Sequence, residues 1–192
     1  MALPGAAMQA LAAAPAGKPV SLDRVESFLA IGADGSVTCY TGKVDLGTGA
    51  QKALAQIVAD ELTLPVERVS MVMGDTLLTP DQGVTFGSLT IEVGGVQIRQ
   101  AAATARAALT SEAARLWQVD PGELTTEDGA VRARAGAGAR RIGYGELVRG
   151  KGLELPVNTK AALLDPSRYR YVGRTVPRWQ PVNGARSRPR SS

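Results

Sequence analysis

The chain contains no histidine among its 192 residues. That removes the commonest zinc and haem ligand and the side chain most often used as a general base near neutral pH. Its one cysteine, Cys39, stands alone, which excludes a disulfide framework, a cysteine-held iron–sulfur cluster and a zinc ribbon built from this chain by itself. No stretch approaches the roughly twenty apolar residues that a membrane-spanning helix needs. The Ser-His-Asp arrangements fall with the histidine, and no nucleophile–base pair stands out elsewhere. If the chain takes part in chemistry, a bound cofactor or another polypeptide is expected to bring the reactive group.

Acidic residues are missing from one region. The whole chain has 22 Lys plus Arg against 18 Asp plus Glu, a formal charge of +4. From Arg168 to Arg190 there are seven arginines and no acid, so the rest of the chain is slightly acidic. Such a stretch can meet nucleic acid or an anionic membrane. Only Tyr169, Tyr171 and Trp179 are interleaved with the arginines, however, and no nucleic-acid module surrounds them. Residues 179–192, where periodicity stops, are therefore expected to be a solvated, disordered basic tail, with no nucleic-acid partner. A reading of a different class remains open: a non-catalytic binding or assembly module that uses this tail on an anionic surface.

A hydrophobic content of 44% can supply a buried core. Residues 1–24 open with an alanine-rich run, "MALPGAAMQALAAAPAGKP", that ends like an export signal but lacks its charged start. They are read as a disordered leader or signal remnant. The compartment stays open: periplasmic if a longer export signal precedes this start, cytoplasmic otherwise.

Between these ends the pattern is mixed. "SFLAIGADGSVTCYT" alternates around Asp34-Gly35 and predicts a hairpin. Ala53, Leu54, Ile57, Val58 and Leu62 recur at helical steps, which makes one face of a helix core and leaves Asp60 and Glu61 as solvated face residues. Pro65 ends that helix, and Val69, Met71 and Met73 alternate as a buried strand. A second helix is predicted from Gly94 or Gly95 to about Trp117, carried by Val96, Ile98, several alanines, Leu109 and Leu116. "GELTTEDGAVRAR" predicts a hairpin about Asp128-Gly129, "AGAGARR" a flexible stretch, "GYGELVRG" a short helical turn, and "YRYVGRTVPR" begins as a strand. The expected fold class is α+β: two main helices packed on a mixed β-sheet with hairpins.

Two segments carry candidate chemistry. Gly47-Thr48-Gly49 precedes the first long helix, whose leading N–H groups lack internal partners and favour an anion such as phosphate. The bland alternative is a tight turn capped by Thr48, because the motif is neither a dinucleotide fingerprint nor a P-loop. The second segment is the long loop "DTLLTPDQGVTFG" with the "SLT" after it. It offers Thr79, Gln82, Thr85, Ser88 and Thr90 with Gly83 and Gly87 between them, a pattern able to wrap a polar heterocycle or phosphate. Asp75, Asp81 and Glu92 make weak acid–base candidates, and no catalytic residue is assigned.

Taken together, "KVDLGTGAQKALAQIVADEL", "GDT" with "TPDQG", and "TFGS" before an alanine-rich helix occur in one order. That order resembles the molybdopterin-binding large subunit of the xanthine dehydrogenase and aldehyde oxidase family, above all the isoquinoline 1-oxidoreductase beta-subunit type. The resemblance spans roughly residues 25–178, read as a partial molybdopterin-binding domain. It implies a molybdenum–molybdopterin cofactor, as such or as a dinucleotide, gripped by hydrogen bonds rather than by histidine. It places Gly47, Thr48 and Gly49 near the metal end or the cofactor's polar groups, and Thr85, Gly87 and Ser88 against the pterin or its phosphate. Much of the wider family has Gln where Thr48 stands. The resemblance also implies an iron–sulfur small subunit as partner, a cytochrome c subunit as a further candidate, and an N-heterocycle or aldehyde substrate. The family's catalytic glutamate belongs to a later region that this sequence lacks, so the chain is expected to be a truncated N-terminal part, inactive alone.

Overall fold

The computed structural model describes residues 20–134, 140–149 and 153–175. The leader over 1–19, most of the glycine–alanine stretch, and the tail from 179 onward lie outside the described residues. The architecture is α+β, with two three-stranded sheets and two long helices.

After a single helical turn, α1 (Val25–Phe28), strands β1 (Leu29–Ile31) and β2 (Val37–Thr41) form the expected antiparallel hairpin, with Ile31 opposite Val37. Asp34 closes the turn by accepting the Ser36 N–H at 2.9 Å. The chain then crosses through α2 (Ala50–Glu61) to β3 (Val69–Met73), which pairs with β2 in parallel. A parallel neighbour demands such a crossover, and so the sheet is mixed.

Leu54, Val58 and Leu62 are fully buried, as their spacing predicts, whereas Ala53 and Ile57 are half-exposed. The difference has a local cause: Ala53 and Ile57 line surface depressions between α2 and the segment that follows the long loop. Met71 and Met73 are likewise only partly buried, because β3 is the edge of its sheet.

The second long helix starts earlier than its pattern suggests. Thr90–Gly95 forms a π-helical turn that leads into α3 (Val96–Trp117). Gly94 and Gly95 are buried there, and a Cβ on Gly94 would lie 3.1 Å from Lys43 Cγ. Ala101, Ala102, Ala105, Ala113 and Ala114 are buried, so small side chains let α3 lie close against its neighbours. Val96 departs from its expected core role and is 61% exposed, since it faces a groove rather than the interior.

Strands β4 (Leu124–Glu127), β5 (Ala130–Ala133) and β6 (Arg141–Gly143) make the second, antiparallel sheet. Its first turn puts both Asp128 and Gly129 at positive φ, the backbone a two-residue hairpin needs. The short helix α4 (Tyr144–Val148) locks the two sheets together. The Tyr144 hydroxyl donates to Leu62 O at 2.8 Å, and burial pushes its pKa upward. Gly145 is required for closeness: a Cβ there would meet the Ala33 carbonyl oxygen at 2.2 Å.

The largest departure concerns Asp60, Glu61 and the C-terminal segment. Both acids are buried, at 2% and 1% exposure, rather than solvated. Asp60 accepts the N–H groups of Arg170 (2.8 Å), Tyr171 (3.1 Å) and Val172 (2.7 Å). Those donors therefore go to a carboxylate instead of a neighbouring strand, which is why the described part of "YRYVGRTVPR" is irregular and follows a 3-10 turn at Pro166–Arg168. Glu61 accepts from Arg106 and from Leu164 N–H, both at 2.7 Å, and from Arg99 at 3.2 Å. Arg99 and Arg106 in turn donate to the Leu164 and Ala162 carbonyls. One acid and two arginines thus fasten the segment to α2 and α3. The arginine-rich region is partly spent on the fold as well, since Arg170 pairs with Asp128 at 2.7 Å.

Removing one partner of a buried ion pair leaves the others uncompensated, a loss of about 3–5 kcal/mol. Glu61→Ala is expected to lower the unfolding free energy by about that amount, measured by urea titration, and to open the 158–172 segment to protease first. An unchanged urea midpoint would show that the clamp contributes nothing.

Candidate functional site

The segment from β2 to α2 and the segment from the long loop to the π-turn face each other across an open pocket of about 420 Å3. Val44, Leu46, Thr48, Gly49, Ala50 and Ala53 form one wall; Thr85, Phe86, Gly87, Ser88, Thr90 and Ile91 form the other. Five of the six predicted site residues, Thr48, Gly49, Thr85, Gly87 and Ser88, line this one pocket although some forty residues of chain separate the two groups. Gly47 stands just outside the lining, at the exposed rim.

Two residues hold the walls at their spacing. Gln82 is 7% exposed. Its Oε1 accepts from the Thr41 hydroxyl and, at 3.1 Å, from Gly42 N–H, while its Nε2 donates to Gln97 Oε1 at 2.8 Å and to Gly94 O at 3.4 Å. The sequence pattern offers Gln82 as a ligand-wrapping amide; the structure spends that amide inside the protein. Lys43, 1% exposed, donates from Nζ to Val84 O at 2.8 Å and Gly83 O at 3.3 Å. Sequence reading missed Lys43, since a lysine at the end of a strand carries no local sign of burial. Thr79 is also turned inward, onto the Asp75 carbonyl, and takes no part in the pocket.

Thr85 serves both walls. Its Oγ1 accepts Val44 N–H at 3.1 Å, which keeps the hydroxyl proton available to a ligand. Gly87 and Ser88 follow at φ of 56° and 65°. This left-handed stretch turns the chain sharply into the π-helix, whose first N–H groups have no partner within the helix.

The other helix start differs from the sequence expectation. The carboxylate of Asp45 accepts the N–H groups of Gly47 (2.9 Å), Gly49 (3.1 Å) and Gln51 (3.0 Å), and the Thr48 hydroxyl lies 3.4 Å away. Of the leading donors of α2, that of Gln51 is therefore taken by an internal anion, which stands at the helix start where the sequence pattern suits an external one. Thr48 does not cap the helix; Asp45 does. The Gln51 N–H, joined by those of Gly49 and Gly47, holds the Asp45 carboxyl below the ordinary carboxylate range. An aspartate four residues ahead of the N-cap glycine was the available signal, hidden by the motif's glycines. No carboxylate lines the pocket itself, and Glu92 is exposed on the π-turn. Among the described residues no cluster of three His, Cys, Asp or Glu could hold a metal ion. The pocket thus offers hydroxyls, backbone donors and apolar walls, a set suited to a flat polar group bearing its own metal or phosphate.

Residues 6–175 match the molybdopterin cofactor-binding domain family. The chain belongs to that family. This molybdopterin cofactor-binding domain is 44% identical over 151 residues to a nicotinate dehydrogenase subunit of Pseudomonas putida, an alignment covering 79% of this chain and 12% of that protein. It is 35% identical over 129 residues to the beta subunit of isoquinoline 1-oxidoreductase from Brevundimonas diminuta, covering 63% and 16%. Among solved structures, quinoline 2-oxidoreductase from Pseudomonas putida superposes with a TM-score of 0.53 at 31% identity, over 64% of this chain and 15% of that one. Carbon monoxide dehydrogenase from Oligotropha carboxidovorans gives 0.55 at 27% identity, over 62% and 15%. The domain therefore spans about an eighth to a sixth of the relatives it matches, and several of those are by name subunits of larger assemblies. No helix among the described residues is long and apolar enough to cross a membrane.

The lowered Asp45 pKa carries a pH signature. A group whose folded pKa is depressed contributes stability that is present above its unfolded value, about 3.9 for Asp, and is lost as pH falls through the folded value. Amide exchange at Gly47, Gly49 and Gln51 is expected to be slow at pH 6, and Asp45→Ala should speed it at least tenfold, relative to the unchanged amides of β2. Equal exchange in variant and wild type would remove Asp45 from the rim.

Proposed function

We propose that this domain forms one wall of the molybdopterin site in a molybdenum hydroxylase subunit. The observation that carries the reading is the convergence, on a single pocket, of the two motif groups that the family resemblance assigns to the cofactor. Thr85, Gly87 and Ser88 would hold the pterin or its phosphate through hydroxyl and backbone donors. Thr48 and Gly49, with Gly47 at the rim, would stand at the cofactor's other polar edge. Because the Asp45 carboxylate sits at the α2 start, holding the Gly47, Gly49 and Gln51 N–H groups, an anionic end of the cofactor belongs on the Ser88 side, away from that carboxylate.

When bound, the cofactor supplies the redox centre that accepts electrons as a carbon is hydroxylated with water-derived oxygen. The domain's own residues bind and orient it. The lining contains no carboxylate, so the proton-abstracting base comes from outside these residues. The names of the relatives support an N-heterocycle or aldehyde as substrate class. They also support a multi-subunit setting; the family resemblance, not those names, adds an iron–sulfur small subunit that takes the electrons and a cytochrome c subunit as a further candidate.

The test is to load the purified chain with free molybdopterin cofactor and to follow retained pterin fluorescence after gel filtration. Ser88→Asp sets a negative charge beside the phosphate at a position whose left-handed backbone Asp tolerates. It is expected to weaken retention at least tenfold, and Thr48→Val severalfold, with the circular dichroism unchanged. Retention of cofactor by Ser88→Asp at the wild-type level would refute this placement, and turnover of a heterocycle by the chain alone would refute the division of labour.

A further inference from the structure

Of the described lysines only Lys43 is buried. Its Nζ donates to the Val84 and Gly83 carbonyls at 2.8 and 3.3 Å, and among the described residues no carboxylate forms an ion pair with it. A buried charge is costly unless an opposite charge or hydrogen bonds compensate it, and here only two carbonyl dipoles do so. Those carbonyls belong to the peptide groups that carry the Val84 and Thr85 N–H. No described peptide bond is cis, and in a trans peptide the N–H points opposite to the C=O. With both oxygens turned onto the ammonium, the two N–H groups point away from it. Neither they nor the N–H groups of Phe86, Gly87 and Ser88 have an acceptor among the described residues. Four of these five successive donors, Thr85 to Ser88, belong to residues of the pocket wall. At Gly87 and Ser88 the backbone is left-handed, which makes the run of donors concave, a shape that suits an anion.

We infer that Lys43 is a positioning residue for an oxyanion in this pocket. Its ammonium stands one peptide group behind the Thr85 N–H, polarises the peptide groups on either side of Val84, and supplies a fixed positive charge that a phosphate on the Thr85–Ser88 donors balances. Lys43 makes no contact with the ligand in this arrangement. It needs none, because Coulomb attraction falls only with the first power of distance and is weakened little away from water. The lysine therefore has two separable roles: its hydrogen bonds hold the loop, and its charge acts through the loop on what the loop binds. A neutral side chain can take over part of the first role and none of the second. The inference rests on the proposed function only in taking the ligand of this pocket to carry a phosphate.

The probe is inorganic pyrophosphate, titrated into the full 192-residue chain labelled with nitrogen-15. Affinity is read from the Thr85, Gly87 and Ser88 amide signals, so that binding by exposed arginines elsewhere does not enter. Lys43→Gln, which can still donate to a carbonyl but carries no charge, is expected to weaken pyrophosphate at least tenfold, whereas Lys43→Arg is expected to bind within about threefold of wild type. The loss in Lys43→Gln is expected to be smaller for methanesulfonate, a tetrahedral anion of single charge. Equal pyrophosphate affinity in Lys43→Gln and wild type overturns the inference. An equal fold-loss for both anions also overturns it, since a clamp without an electrostatic role distorts the wall for either ligand alike. In the wild type the Lys43 Nζ signal is expected to move as the Ser88 signal saturates, and a stationary Nζ signal overturns the inference even where neither variant folds. Retention of molybdopterin by a chain that takes no pyrophosphate overturns the inference and leaves the proposed function standing. Lys43-dependent binding of pyrophosphate by a chain that retains no molybdopterin sustains Lys43, gives the pocket to free phosphate and refutes the cofactor reading. A chain that holds neither refutes both.

Discussion

The pocket depends on a clamp that never touches it. Lys43 and Gln82, buried behind the two walls, tie the end of β2 to the long loop and the start of the π-turn. A buried ammonium is costly unless its hydrogen bonds are met, and among the described residues no carboxylate pairs with it. The Gly83 and Val84 carbonyls carry that burden alone. Hydrogen bonds to charged groups contribute about 1.5–3 kcal/mol each, so the loop has little freedom to leave. Gln82 adds a second anchor in which both ends of the amide are used. A loop of this length would otherwise sample many shapes, and Thr85, Gly87 and Ser88 would have no fixed relation to Thr48 and Gly49.

A second theme runs through the acids. Asp45, Asp60 and Glu61 each spend oxygens on main-chain N–H groups outside regular pairing. A carboxylate is an acceptor on both oxygens, and each of these collects several donors, among them N–H groups that irregular backbone cannot satisfy by itself. Asp45 shapes the glycine rim, and Asp60 with Glu61 lays the C-terminal segment over α2 and α3. That segment then completes the apolar groove, so an ion cluster near the core sets the form of a surface that adjoins the pocket at Ile91.

Much was legible beforehand. The two hairpins announce themselves through Asp34-Gly35 and Asp128-Gly129, because a tight turn is a local property of those residues. Both long helices follow from apolar spacing, and the meeting of Thr48 and Gly49 with Thr85, Gly87 and Ser88 at one pocket follows from the family resemblance. The roles of Asp60, Glu61, Lys43 and Gln82 were not legible. Each is a polar residue whose burial is decided by partners 12 to 112 positions away, and no short window of sequence contains both members. The strand expected after Tyr169 failed for the same reason: its donors had a better acceptor in a distant carboxylate.

The sequence by itself determined the fold class, the family and which two segments share a pocket, since those rest on periodicity along the chain and on a family resemblance carried by ordered motifs. Tertiary structure alone decided that an internal carboxylate, Asp45, stands at the α2 start, that Lys43 and Gln82 are buried behind the pocket, and that Phe86, Ile91 and Val96 stand in the open. Those are matters of which groups satisfy one another across space. Hydrogen-bond satisfaction and burial are settled only when every segment has found its neighbours.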